Sequence, residues 1–75
     1  MLEQIIDIIS KQLSVDEDEI TVDTSIMEDL GADSLDIVEL LITIEEEFGI
    51  KVPDEDVPTL KTVGNIVDYV EKNQA

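Results

Sequence analysis

The strongest constraint on the fold of this 75-residue chain is the run from Leu35 to Phe48, in which apolar residues recur at helical spacing between punctuating residues. Gly31 and the capping candidates Asp33 and Ser34 precede the run, and Gly49 follows it as a C-cap glycine. Leu2, Ile5, Ile6, Ile9 and Leu13 keep the same 3, 4 and 7 spacing and predict a helix over residues 2–13. Val63, Ile66, Val67 and Val70 predict a last helix that begins with Thr62 as its cap. Asp54 to Val57, between Pro53 and Pro58, is at best one short helical turn, because a proline disfavours helical geometry at the residue before it. In the acidic stretch 14–30, Ser14-Val15-Asp16-Glu17 and Ser25-Ile26-Met27-Glu28 both match a capping box. That stretch reads as a long loop with isolated helical turns, pinned to the core by Val15, Ile20, Val22, Ile26, Met27 and Leu30. The expected fold is all-α: a small four-helix bundle, three longer helices plus one short helix, with a long first loop, in a single domain over residues 1–75.

Charge and composition then remove whole classes of function. Twenty acidic residues against four basic ones give a net charge of −16, which repels polyphosphate, and Phe48 and Tyr69 are too few aromatics for a base-stacking platform. No nucleic acid is expected as a partner; basic proteins are. With no His and no Cys there is no imidazole for general-base work, no disulfide and no zinc site, so hydrolase and protease chemistry is disfavoured. The hydrophobic fraction of 43% is too high for a disordered acidic tail, so the charge coats a folded but thin core. No membrane span and no secretory leader is evident, and the chain reads as a cytoplasmic, free-standing protein that begins at Met1.

On a helical wheel of about 100° per residue, Ile37, Leu40, Leu41, Ile44 and Phe48 gather into one arc, the core face of the second helix. Leu35, Val38 and Ile42 form a second stripe on the far side from Leu40, with Glu39 and Glu46 on one flank and Glu45 on the other. Either the long loop or the last helix covers this stripe, or it is an apolar ridge edged by carboxylates that docks on a groove rimmed by Lys and Arg. Ser34 starts the helix and is either its N-cap, a role Asp33 fills equally well, or an acceptor of a covalent group. It is not a catalytic nucleophile, because no His can take its proton and its neighbours Asp29, Asp33 and Asp36 are acidic. A calcium loop started at Asp16 fails with Ile20 at position 5, Thr21 at position 6 and Met27 at position 12. Glu45-Glu46-Glu47 and Asp54-Glu55-Asp56 are then charged faces that bind divalent ions weakly and nonspecifically, not a dedicated metal site.

The segment Asp29-Leu30-Gly31-Ala32-Asp33-Ser34-Leu35-Asp36-Ile37-Val38-Glu39-Leu40 resembles the phosphopantetheine attachment signature of acyl carrier proteins. The likeness continues through Glu45-Glu46-Glu47-Phe48 and Val52-Pro53-Asp54-Glu55-Asp56 to Thr62-Val63 and Asp68-Tyr69, and so covers nearly the whole chain. The resemblance implies a non-enzymatic carrier in which Ser34 takes a 4′-phosphopantetheine from coenzyme A and holds acyl groups as thioesters on the arm's terminal thiol. It implies partner contacts through Asp33, Leu35, Asp36, Val38, Glu39, Ile42, Glu45 and Glu46, and an acyl-chain pocket built from Ile44, Leu60, Val67 and Tyr69. Lys51, a positive charge near that surface, and Pro58, which stiffens the segment before Leu60, depart from familiar members.

The implied role is fatty acid synthesis, with a monomer serving a phosphopantetheinyl transferase, a malonyl transferase, condensing enzymes, reductases and a dehydratase. The alternatives are a carrier for a polyketide or other specialised acyl or aminoacyl pathway and, in a different class, an unmodified acidic helical adaptor for basic proteins.

Overall fold

Helical periodicity sets the three long elements of the computed structural model, which describes residues 1–74. Helix α1 spans Leu2–Leu13, α2 spans Ser34–Phe48 and α3 spans Val63–Asn73, with 3₁₀ helices at Glu17–Glu19 and Asp54–Thr59. Both α2 and α3 pack on α1. Ile5 and Ile9 of α1, Ile37, Leu40, Leu41 and Ile44 of α2, and Val63, Ile66 and Val70 of α3 supply the buried core. The connecting segments complete it with Ile20, Ile26, Ile50 and Leu60. Phe48 belongs to this core less fully than its place on the wheel suggests: it is half-buried at the end of α2 and packs against the cluster from the rim.

Two expectations about the first loop are corrected. Ser14 does not cap the following turn; it ends α1 in the left-handed conformation (φ 57°, ψ 46°), and Asp16 is the N-cap of Glu17–Glu19. The hydroxyl of Ser10 donates to the Val15 carbonyl at 2.6 Å, and Val15 N–H donates back to the Ser10 carbonyl, so the exit from α1 satisfies its own polar groups. Val22 and Met27 are not core anchors, being 44% and 50% exposed. Val22 contributes its backbone instead: its carbonyl accepts Gly64 N–H at 2.8 Å, while the Thr24 carbonyl accepts Val63 N–H at 3.0 Å. Loop carbonyls thus satisfy two of the free N–H groups at the start of α3. A Cβ on Gly64 would meet the Val22 carbonyl oxygen at 3.0 Å, so glycine is what admits the loop this close.

The box at Ser25 does form, with Asp29 instead of Glu28 as the returning acid. Glu28 N–H donates to Ser25 Oγ at 3.2 Å and Ser25 N–H donates to Asp29 Oδ2 at 2.7 Å. At Thr62 the box closes with Asn65, at 3.1 and 3.2 Å. The segment between the prolines is longer than one turn, a six-residue 3₁₀ helix with Pro58 inside it. The turns close through Asp56 N–H to the Pro53 carbonyl and Leu60 N–H to the Val57 carbonyl, neither of which needs the donor that Pro58 lacks.

Little in this fold neutralises its charge. Among the described residues the ion pairs are Lys11–Asp7 at 3.1 Å and Lys72–Asp68 at 3.5 Å, both exposed and within one helix, where such pairs contribute little. The molecule measures 29 × 23 × 19 Å, so at 0.01 M salt, with a Debye length of about 30 Å, every carboxylate feels every other. At 0.1 M the length falls to about 10 Å and most of that repulsion is screened. Thermal melts followed by circular dichroism should therefore show a higher Tm at 0.1 M than at 0.01 M salt, by about 4–8 °C for each kcal/mol relieved. An unchanged Tm would mean that the charge is too dispersed to matter.

Candidate functional site

The approach to α2 is built so that one hydroxyl is left over. Gly31 turns the chain at φ 70°, and Ala32 is buried with its N–H on the Ile26 carbonyl at 3.2 Å. Asp33, in extended conformation, is the N-cap. Its Oδ1 accepts Asp36 N–H at 2.9 Å, and Asp36 Oδ2 accepts Asp33 N–H at 3.3 Å. The capping alternatives are thereby resolved in favour of Asp33. Ser34 is the first residue of the helix, exposed, and its Oγ has no hydrogen-bond partner among the described residues. The hydroxyl has no His in this chain to take its proton, and the titratable groups near Ser34 are carboxylates and the ammonium of Lys61, none of which is placed on the Oγ as an activating base. It can accept a group only when another protein supplies the base.

Beside Ser34 lies a cleft of about 310 Å³ with Ile37, Val38, Met27, Val57, Pro58 and Leu60 among its walls; Ser25, Glu28 and Lys61 also line it. Of the four residues expected to form an acyl pocket, Leu60 lines this cleft. Ile44 is fully buried in the core, while Val67 and Tyr69 are half-buried on α3 and do not line it. Sequence reading missed Met27, Val57, Pro58 and Lys61 beside Ser34. Residues 57–61 lie more than 20 positions away, and no local period reports that they line one cleft with the start of α2.

The second stripe of α2 is not covered: Leu35, Val38 and Ile42 are 65%, 43% and 49% exposed, with Glu39 and Glu46 also exposed. The carboxylates expected on this face fall into two kinds. Asp33 and Asp36 hold the helix start, and Glu45 Oε2 accepts Val52 N–H at 2.6 Å, tying down the turn after α2. The Glu39 and Glu46 side chains have no such tie among the described residues, which makes them the free charges flanking the ridge. Among the described residues no group of three His, Cys, Asp or Glu side chains is arranged to hold a metal ion.

Tyr69 ties α3 to the 3₁₀ helix, its hydroxyl donating to Asp56 Oδ2 at 2.9 Å. Burial, then the hydrogen bond to Asp56 and the negative charges of Asp56, Glu45 and Glu55, push its pKa above the ordinary value. A raised folded-state pKa means that the neutral hydroxyl stabilises the fold at every pH below the unfolded value of about 10, and that this contribution is lost as pH rises through the folded value. As the chain has one Tyr and no Trp, an ultraviolet titration reads this group alone. Its midpoint should lie above that of free tyrosine and fall back in Asp56→Asn; a midpoint at the free value would place the hydroxyl in water.

Comparison with known proteins adds an independent line. The family model for the phosphopantetheine attachment site matches residues 3–70. The chain is 50% identical over 72 residues to the acyl carrier protein of Syntrophobacter fumaroxidans, covering 96% of this chain and 89% of that one. It is 49% identical over 73 residues to the acyl carrier protein of Clostridium perfringens, with 97% and 96% covered. A solved structure of the acyl carrier protein from Enterococcus faecalis superposes with a TM-score of 0.82 at 38% identity, over 96% of this chain and 91% of that one.

Proposed function

The chain belongs to the phosphopantetheine attachment family, as an acyl carrier protein that works through a 4′-phosphopantetheine arm and is itself no enzyme, and on that premise we propose that Ser34 bears the arm and that the carrier serves fatty acid synthesis. The observation that carries the assignment to Ser34 is its exposed hydroxyl at the start of α2, released from capping by the Asp33–Asp36 box. Ser34 Oγ forms a phosphoester bond as the pyrophosphate linkage of coenzyme A breaks, the adenosine bisphosphate half departs, and the serine proton passes to a base of the transferase. The arm supplies the thiol that a chain without cysteine lacks.

Residues 1–75 act on this reading as one acyl-carrier domain, monomeric and cytoplasmic, visited in turn by a phosphopantetheinyl transferase, a malonyl transferase, condensing enzymes, reductases and a dehydratase. One small surface must then suit many partners. The ridge of Leu35, Val38 and Ile42 offers apolar contact, and the untied carboxylates of Glu39 and Glu46 steer basic rims toward it. No helix among the described residues is long and apolar enough to cross a membrane.

Two measurements test this. Glu39→Lys should leave the helices intact and slow phosphopantetheine loading roughly 3- to 10-fold at low salt, less at high salt, while Glu3→Lys on α1 does much less. Equal low-salt rates for the parent and both variants would mean that the transferase does not read this face. For the pathway, the loaded protein with malonyl transferase, condensing enzyme, reductases and dehydratase should accumulate a saturated acyl thioester. Loading without elongation would make it a carrier for a specialised pathway instead.

A further inference from the structure

We propose that Lys61 is a positioning residue for the phosphodiester on Ser34, pairing its ammonium group with that anion across the cleft the two residues share; the proposal rests on the assignment of Ser34 above. A phosphodiester at this place brings a negative charge in beside Asp29, Asp33 and Asp36, in a chain whose net charge is already −16. A cation at hand decides where such a group settles. Of the four lysines, Lys11 and Lys72 are paired with Asp7 and Asp68 on their own helices. Lys51 does not line the cleft. Lys61 does line it with Ser34, and it is exposed and without an ion-pair partner among the described residues.

The backbone at Lys61 is fixed. Its carbonyl accepts Ile26 N–H at 3.0 Å, and the next residue, Thr62, bridges to Ser25. The root of the side chain is therefore held while its four-carbon stem is free to bring the charge toward Ser34. Glu28 on the same cleft is the carboxylate that competes for it. The consequence is a bias of the root of the arm toward the apolar wall of Val57, Pro58 and Leu60, and away from the acidic face of α2. An exposed pair of this kind shifts the population about 1.4- to 5-fold and weakens with salt.

The test uses the parent, Lys61→Gln and Lys72→Gln, each loaded with transferase and coenzyme A and each confirmed by intact mass to carry one arm. Gln at position 61 keeps the backbone bond to Ile26 and removes the charge. Phosphorus NMR at 0.01 M and 1 M salt should show the parent's phosphodiester resonance displaced from that of Lys61→Gln at low salt and moving toward it at high salt, with Lys72→Gln behaving as the parent. Lys61→Arg should retain the displacement. The same resonance and salt response in the parent and Lys61→Gln would overturn the role of Lys61, and so would an equal change in Lys72→Gln, which would mark a bulk charge effect. A parent that gains no arm on Ser34 would fail at the earlier step and overturn the assignment of Ser34 as well.

Discussion

Ser34→Ala is expected to abolish phosphopantetheine loading and leave the fold unchanged. The loss is complete because the substitution removes the oxygen proposed to bond to phosphorus, and the other serines sit in different surroundings. Ser10 is within α1 with its hydroxyl on the Val15 carbonyl, Ser14 ends α1, and the Ser25 hydroxyl accepts Glu28 N–H. None of these three opens a helix beside an exposed apolar ridge with free carboxylates. The fold survives because Asp33, not Ser34, caps α2, and an exposed first-turn substitution stays within about ±0.5 kcal/mol. Unchanged far-ultraviolet circular dichroism with no mass gain is the expected pair of results. Loading of Ser34→Ala at the parent's rate would show that Ser34 does not bear the arm.

Leu40→Ala should be the most damaging of the helix substitutions. Leu40 is fully buried, and truncating a buried leucine costs about 2–5 kcal/mol in transfer and cavity terms. A chain of 75 residues has roughly 4–11 kcal/mol of stability in all, so the loss is a large share of it. Leu35→Ala, five residues earlier on the same helix, removes a side chain that is 65% exposed and should cost less than about 0.5 kcal/mol. Urea titration separates the two, since urea is uncharged and does not screen the carboxylates as guanidinium would. Similar midpoints for Leu35→Ala and Leu40→Ala would mean that the two faces of α2 are not divided as described.

That division was legible in the sequence because it follows from one helix's own period. The 3, 4 and 7 spacing put Ile37, Leu40, Leu41 and Ile44 on one face and Leu35, Val38 and Ile42 on the other, and burial follows the same line. Local chemistry was legible too: Thr62 caps α3, and Gly49 ends α2 at φ 66°. Whatever depends on distant segments meeting was not. Whether Asp33 or Ser34 capped α2 was undecidable from spacing, as both are N-cap residue types and their reach overlaps at the Asp36 N–H. Val22 looked like an anchor because it is apolar, yet its contribution is a carbonyl offered to Gly64. Lys61 and Val57 line one cleft with Ser34 only through the tertiary fold, and no residue pattern near Ser34 records it.

Attachment of the arm at Ser34 is tested most directly by intact mass followed by fragmentation of the parent protein after incubation with a phosphopantetheinyl transferase and coenzyme A. One phosphopantetheinyl group per chain is expected, with every fragment that bears it containing Ser34. A parent that gains no group, or one whose modified fragments contain Ser10, Ser14 or Ser25 but not Ser34, would contradict it.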